Sequence, residues 1–386
     1  MPVRDTGAGD PDRRWWTGER SGMADLQTTW SEAELLADEP GLEPLVVAGY
    51  RCHGGFDDQG TYRSPRTRFR VAAIEAWQAR HRRDLGTELL DVPLATWPAP
   101  YPNLAQSRYL LSEGVRQPIV TTLTRIGTVE GFGALIRAVC VPDRQRFFAE
   151  PIEGTAIEHL DRGLFEAHAR DEAGWGETAG HKHMWFAVRD LAFEGPPTED
   201  ETAEMLRRMG LGRGAAAPDP GVVARQMLEA RRFEDLDPGL EMMIQRMIDI
   251  LLIEISAHHV FAWAEALLAD TDLVAGDGEP ARIVSYIRQD EAPHVEYLRT
   301  ALTEMRDRTF VTTDGGRRPG AEVIGTLWSE GLTRSLGERR RLQQEATVAE
   351  VTRAVEGHPR RADILARFHE LGDGQPAAVA AAREAS

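Results

Sequence analysis

Six acidic and imidazole side chains fall where helical periodicity calls for leucine. In Ile250-Leu251-Leu252-Ile253-Glu254-Ile255, apolar residues surround Glu254 on every side of a predicted helix. A helix apolar all round is ordinarily buried. An unpaired carboxylate there is costly, so it must be protonated, hydrogen-bonded, ion-paired or bound to a cation. Further on, Ile287, Glu291, His294 and Leu298 recur at i, i+4, i+7 and i+11, on a stripe that continues to Leu302 and Met305. Glu-x-x-His on one helical face offers a carboxylate oxygen and an imidazole nitrogen to one metal ion. The spacing alone is weak, because about one such pair is expected by chance. Its weight comes from the apolar stripe and from the 37 residues separating Glu254 and Glu291. Two antiparallel helices turning at Gly276-Asp277-Gly278 would bring them to similar heights. His258, one turn after Glu254, and Asp290 are candidate further ligands.

The first half repeats the logic. Ile119, Leu123, Ile126 and Glu130 share one stripe of a helix that Pro118 opens, although Gly127, Gly131 and Gly133 weaken that helix. In the next helical pattern Ile157, Leu160, Leu164, His168, Glu172 and Trp175 follow helical spacing. The expectation is two hairpins, each giving two carboxylates and one histidine. Glu166, the Glu177-x-x-x-His181 pair and His183 compete for the first-half positions. The alternative for each carboxylate is an ion pair, for Glu254 with Arg246 or Arg288 and for Glu172 with His168 along one helix. Trp185, Phe186 and Phe261 read as core residues.

This pattern resembles the ferritin-like di-iron carboxylate superfamily, whose members take a Glu from two helices and Glu-x-x-His from two others. Glu254, Glu291 and His294 match one half and Glu130 the lone Glu of the other. His168-x-x-x-Glu172 departs from Glu-x-x-His, a departure that also resembles the haem-oxygenase-like di-iron oxidases. The resemblance covers residues 118 to 305. It implies a helical bundle holding two iron ions, with manganese as the other candidate, and oxidation of a small organic substrate by dioxygen. Hydroxylation, N-oxygenation, desaturation and C–C cleavage all fit. A metal-storage or metal-sensing bundle needs the same ligands without a substrate pocket, and a metal-free helical scaffold would use them as buried ion pairs.

Elements that position these residues dominate the rest of the chain. Helices are expected over about 67–85, 118–140, 152–193, 222–232, 241–269, 280–307, 322–355 and 360–371. A proline-rich connector lies at 91–103 and a Gly/Ala/Pro linker at 212–220. The fold class is therefore all-α, divided into an irregular arm (1–64) with Trp15, Trp16 and Trp30 as anchors, a metal-binding bundle (65–310), and a C-terminal helical extension (311–386) with a frayed alanine-rich tail.

Composition sets the outer limits. Of 386 residues, 42% are hydrophobic and 28% charged, which suits a globular core. The net charge of -17, from 62 acidic and 45 basic residues, disfavours nucleic acid and anionic membranes. Only Cys52 and Cys140 are present, too few for a disulfide framework, a thiolate zinc site or an iron–sulfur cluster. Cys52-His53-Gly54-Gly55 lacks partners at zinc spacing and reads as a loop. The polar first 20 residues lack a signal-peptide core, and Asp249 and Glu254 interrupt the most apolar run, Met247 to Ile255. A cytoplasmic protein without a membrane span is expected. A homodimer is compatible with the sequence.

Overall fold

In the computed structural model the described residues are 27–193, 197–208 and 231–373. The chain is mostly helical. Trp15, Trp16, the linker at 212–220, most of the helix expected at 222–232 and the alanine-rich tail lie outside the described residues.

The segment expected to be an irregular arm instead builds structure. A short helix, α1 (Glu32–Leu35), opens with Ser31 in a reciprocal capping box with Glu34. Three antiparallel strands follow in the order β1 (Glu43–Val47), β2 (Tyr50–Phe56) and β3 (Tyr62–Arg63). Alternating Leu45, Val47, Cys52 and Tyr62 turn inward. Without a long apolar run, this sheet left no strong trace in the sequence.

The bundle contains α2 (Arg70–Leu85), α3 (Leu104–Ser112), α4 (Gln117–Gly133), α5 (Ala156–His159), α6 (Phe165–Ala173), α7 (His181–Ala192), α8 (Glu199–Arg208), α9 (Pro238–Leu268), α10 (Glu279–Asp290) and α11 (Ala292–Arg306). Asp237 caps α9, its carboxylate accepting from Gly239 N at 2.9 Å and Leu240 N at 3.2 Å, with Pro238 at the first turn. The α9–α10 turn runs through Gly276 and Gly278 at positive φ, as the Gly-Asp-Gly sequence predicts.

Two expected helices are broken. The pattern over 152–193 splits at a kink where Gly163 has φ 123°, and again at the loop 174–180. That second break comes from tertiary pairing. Ala179 joins β2, its N–H donating to Arg51 O at 2.8 Å while His53 N donates to Ala179 O at 3.2 Å. The α10–α11 boundary falls at Glu291, two residues before Pro293, whose ring removes a helical N–H.

Beyond the bundle, the hairpin β4 (Thr309–Val311) and β5 (Arg317–Pro319) turns at Asp314-Gly315-Gly316, leading to α12 (Gly320–Arg334), a π-helical turn (Ser335–Arg339), α13 (Arg340–Ala354) and α14 (Arg361–Asp373). Here too a small sheet stands where only helices were expected. Leu110 and Val115 pack with Val351, Val355, Ile364 and Phe368, tying this extension to α3.

Two helical spans have the length and apolarity to cross a membrane, Gln117–Val139 and Pro238–Leu268, which corrects the expectation that none does. Their most apolar windows are 61% and 56% buried inside the chain, and each carries a buried glutamate. Both are compatible with the core helices of a soluble protein.

Candidate metal centre

Two large apolar clusters meet at the middle of the bundle. Along α9 one takes Leu240 through Ile255 and the other takes Ala257 through Leu268. Glu254 lies at the seam. The same division runs between Ile126 and Ile136 around Glu130, between Ala169 and Met184 around Glu172, and between Ile287 and Val295 around Glu291 and His294. Apolar packing on both sides thus aims every one of these groups at a single buried layer.

All six first-choice residues, Glu130, His168, Glu172, Glu254, Glu291 and His294, converge there, and His181 joins them. Their ligand atoms form two overlapping groups, each within 4.8 Å: His168, Glu172, Glu254 and His294, and Glu130, Glu172, His181 and Glu291. Glu172 belongs to both. Its Oε1 lies 3.8 Å from His168 Nε2 and 3.3 Å from His294 Nδ1, while Oε2 lies 3.4 Å from His181 Nδ1. Glu291 spans the groups in the same way, with Oε1 3.0 Å from His181 Nδ1 and Oε2 2.7 Å from His294 Nδ1. Glu254 sits at one end, 3.3 Å from His168 Nε2, and Glu130 at the other, 3.7 Å from His181 Nδ1.

Each histidine turns one ring nitrogen to the centre and the other to a buried oxygen. His168 Nδ1 lies 3.0 Å from the Tyr297 hydroxyl, His181 Nε2 3.3 Å from Asp290 Oδ2, and His294 Nε2 2.9 Å from Asp171 Oδ2. Such partners fix a ligating ring's tautomer and raise its basicity. Asp171 is itself clasped by Arg66 and Arg70, and Asp290 accepts from the Tyr62 hydroxyl at 2.9 Å. Facing inward, His168 Nε2, Glu172 Oε2, His181 Nδ1 and Glu291 Oε1 are buried without a hydrogen-bond partner. Orphaned buried donors and acceptors are rare, and these four residues all belong to the two ligand groups.

The charges state the same problem. Burial pushes the Glu130 carboxyl far above the usual range, with Glu172 and Glu291 adding repulsion; Glu254 is raised by burial and then by Glu291. Despite burial, His181 and His294 are pushed up, chiefly by Glu291. Burial and the His294 charge lower His168. Burial would raise Glu172 too, but His181 and His294 outweigh it and hold it low. Four glutamates carry the charge that two divalent cations would balance while the imidazoles stay neutral. Nitrogen and carboxylate oxygen donors, with no thiolate, fit iron or manganese.

The other sequence candidates fall away from this layer. Glu166 pairs with Arg137 and Arg170 at 2.6 Å each, because it faces the outer side of α6. Glu177 is exposed in the loop that the pairing of Ala179 with β2 creates. His258 belongs to neither group, its ring packing 5.3 Å from that of His259. His183 faces Tyr50, with ring centroids 6.1 Å apart. Asp290 completes neither group around Glu172, but with His53 and His181 it forms a third buried set of possible ligand atoms, on the outer nitrogen of His181. The proposed arginine pairing of Glu254 is absent among the described residues; Arg288 meets Glu265 at 3.1 Å. The first half supplies two histidines, not one, since the loop places His181 at the first position of α7.

Sequence reasoning missed His53 and Asp171. His53, read as a loop residue, is buried 3.5 Å from Asp290 Oδ2 and packs edge-on against His181. Its position depends on the β2–Ala179 pairing, which no local pattern encodes. Asp171 directly precedes Glu172, and its signal lay in Arg66 and Arg70, two of the three arginines of the 66–70 segment. Compared with protein families, curated proteins and solved structures, the chain finds no match.

Proposed function

We propose that this chain is a non-haem di-metal oxidoreductase, with two iron ions as the preferred pair, that uses dioxygen to oxidise a small organic molecule. The supporting observation is that Glu172 and Glu291 each present one oxygen to either ligand group, while unpartnered buried atoms face inward. The ferritin-like resemblance belongs to the same reading. Iron held there would supply the electron transfer and dioxygen binding that such an oxidation needs. The chain's own part is to fix the donors, exclude water and position a substrate. Tyr297, Asp290 and Asp171 hold the three imidazoles. The two apolar clusters keep the layer dry. A cavity of about 480 Å³ reaches Glu130, which supports an organic substrate over simple metal storage.

The test is metal analysis after iron-supplemented expression, followed by oxygen uptake against amines and organic acids. Two irons per chain are expected, and Glu291→Ala and His294→Ala should lose metal while circular dichroism stays near native. A chain that binds neither iron nor manganese sinks the reading. Oxygen uptake that yields no organic product across the screen replaces it with storage.

A further inference from the structure

We infer that the cavity at Glu130 accepts an amphiphilic organic acid: an apolar body toward the metal layer and an anionic head held by arginines. This names the substrate class of the proposed centre and rests on that reading. The walls are apolar and aromatic, formed by Trp97 and Tyr101 of the proline-rich connector and by Leu252, Val260, Phe261 and Trp263 of α9. Such walls suit a hydrocarbon or aryl body, and about 480 Å³ suits a small molecule of that kind.

The polar groups are unevenly distributed. Glu130 is the acidic residue lining the cavity, whereas three arginines line it, Arg125, Arg339 and Arg340. Arg125 and Arg340 are half-buried, and burial lowers both from the usual arginine range. Arg125 feels Glu350, itself raised by burial, yet forms no ion pair among the described residues. Arg340 donates to Ala99 O at 3.0 Å and likewise meets no carboxylate among them. Partly desolvated guanidinium groups that form no direct ion pair with a described carboxylate make a good receptor for an acid.

A second observation comes from the backbone. The π-helical turn Ser335–Arg339 contributes Ser335, Leu336 and Arg339 to the lining, and π-turns recur at functional sites. The Ser335 Oγ is buried without a partner.

The experiment is calorimetric titration of the as-isolated full chain with octanoate, 4-phenylbutanoate and octylphosphonate, against octanamide and 4-phenylbutanamide. Either acid series should bind about tenfold or more tighter than the matched amides. Arg125→Gln and Arg340→Gln should each weaken acid binding by a similar factor and leave amide binding nearly unchanged. Arg339→Gln, at an exposed position, serves as a third variant if Arg125→Gln fails to fold. Equal binding of acids and amides, no binding of either at millimolar concentration, or unaltered acid binding in the folded arginine variants overturns the inference. Metal analysis of the same samples separates the two claims. Metal-free protein that still selects acids would remove the oxidoreductase reading alone, and metal-loaded protein indifferent to charge would remove this one alone.

Discussion

At the scale of single residues, the centre separates groups that face inward from groups that hold them. Glu172 touches both ligand groups, whereas Glu130 and Glu254 each touch one. Glu172→Gln should therefore reduce metal content toward zero, and Glu254→Gln toward one ion per chain. Elemental analysis checks both, and equal losses in the two variants would contradict the shared role of Glu172. Asp171 contributes no atom to either group but holds His294 Nε2 and is fixed by two arginines. Asp171→Asn keeps the shape and removes the charge. Metal affinity should fall about 10–100-fold, as for other partners of ligating histidines, and the metal-free fold should also lose about 3–5 kcal/mol because Arg66 and Arg70 are left buried beside a neutral amide. Competition titration with a chelator measures this, and an unchanged affinity would make Asp171 merely structural.

At the scale of elements, the glycines that weakened the expected helix account for its packing. A Cβ on Gly127 would come within 2.9 Å of Trp185 Cβ and 3.0 Å of the Phe186 ring, and one on Gly133 would overlap the Glu172 side chain. Low helix propensity in α4 is exchanged for close approach to α7 and room for the shared glutamate. Gly133→Ala tests this sharply. Alanine favours the helix by about 1 kcal/mol, yet the variant should bind less metal because Glu172 must move. Retention of full metal content would show that the carboxylate has space to spare. Pro293 plays the complementary part in the other half, ending α10 so that Asp290 meets His181 while Glu291 and His294 face the metal layer.

At the scale of the whole molecule, one buried acid remote from the centre gives stability a pH signature. Burial raises the Glu304 carboxyl to about 7, while its Oε2 accepts from Ile157 N at 3.1 Å. A folded-state value above the unfolded one means that the contribution is complete below about pH 4.5 and is lost as pH rises through 7. The loss is at most about 3 kcal/mol. Urea unfolding of metal-free native protein and Glu304→Gln at pH 5 and pH 8 should show the variant gaining relative stability at the higher pH. Parallel behaviour would rule out that burial cost. Metal acts over the whole fold too: an ion present at about 1,000 times its dissociation constant adds about 4 kcal/mol. Chelation should accordingly lower the melting temperature of the loaded protein.

Period and polarity alone determined that Glu130, Glu254, Glu291 and His294 face a helical core, because each stands on a stripe of apolar residues that must leave water together. They also placed the α9–α10 turn, the break near Pro293 and the long C-terminal helices, all features of local backbone chemistry. Tertiary structure decided the rest. The pairing of β2 with Ala179 broke a long helical pattern, set His181 at the start of α7 and buried His53 beside it. Arg66 and Arg70, about 100 residues before Asp171, chose that carboxylate as the clasped one and left Glu172 turned inward. Such choices depend on contacts between distant segments, and periodicity within one segment carries no record of them.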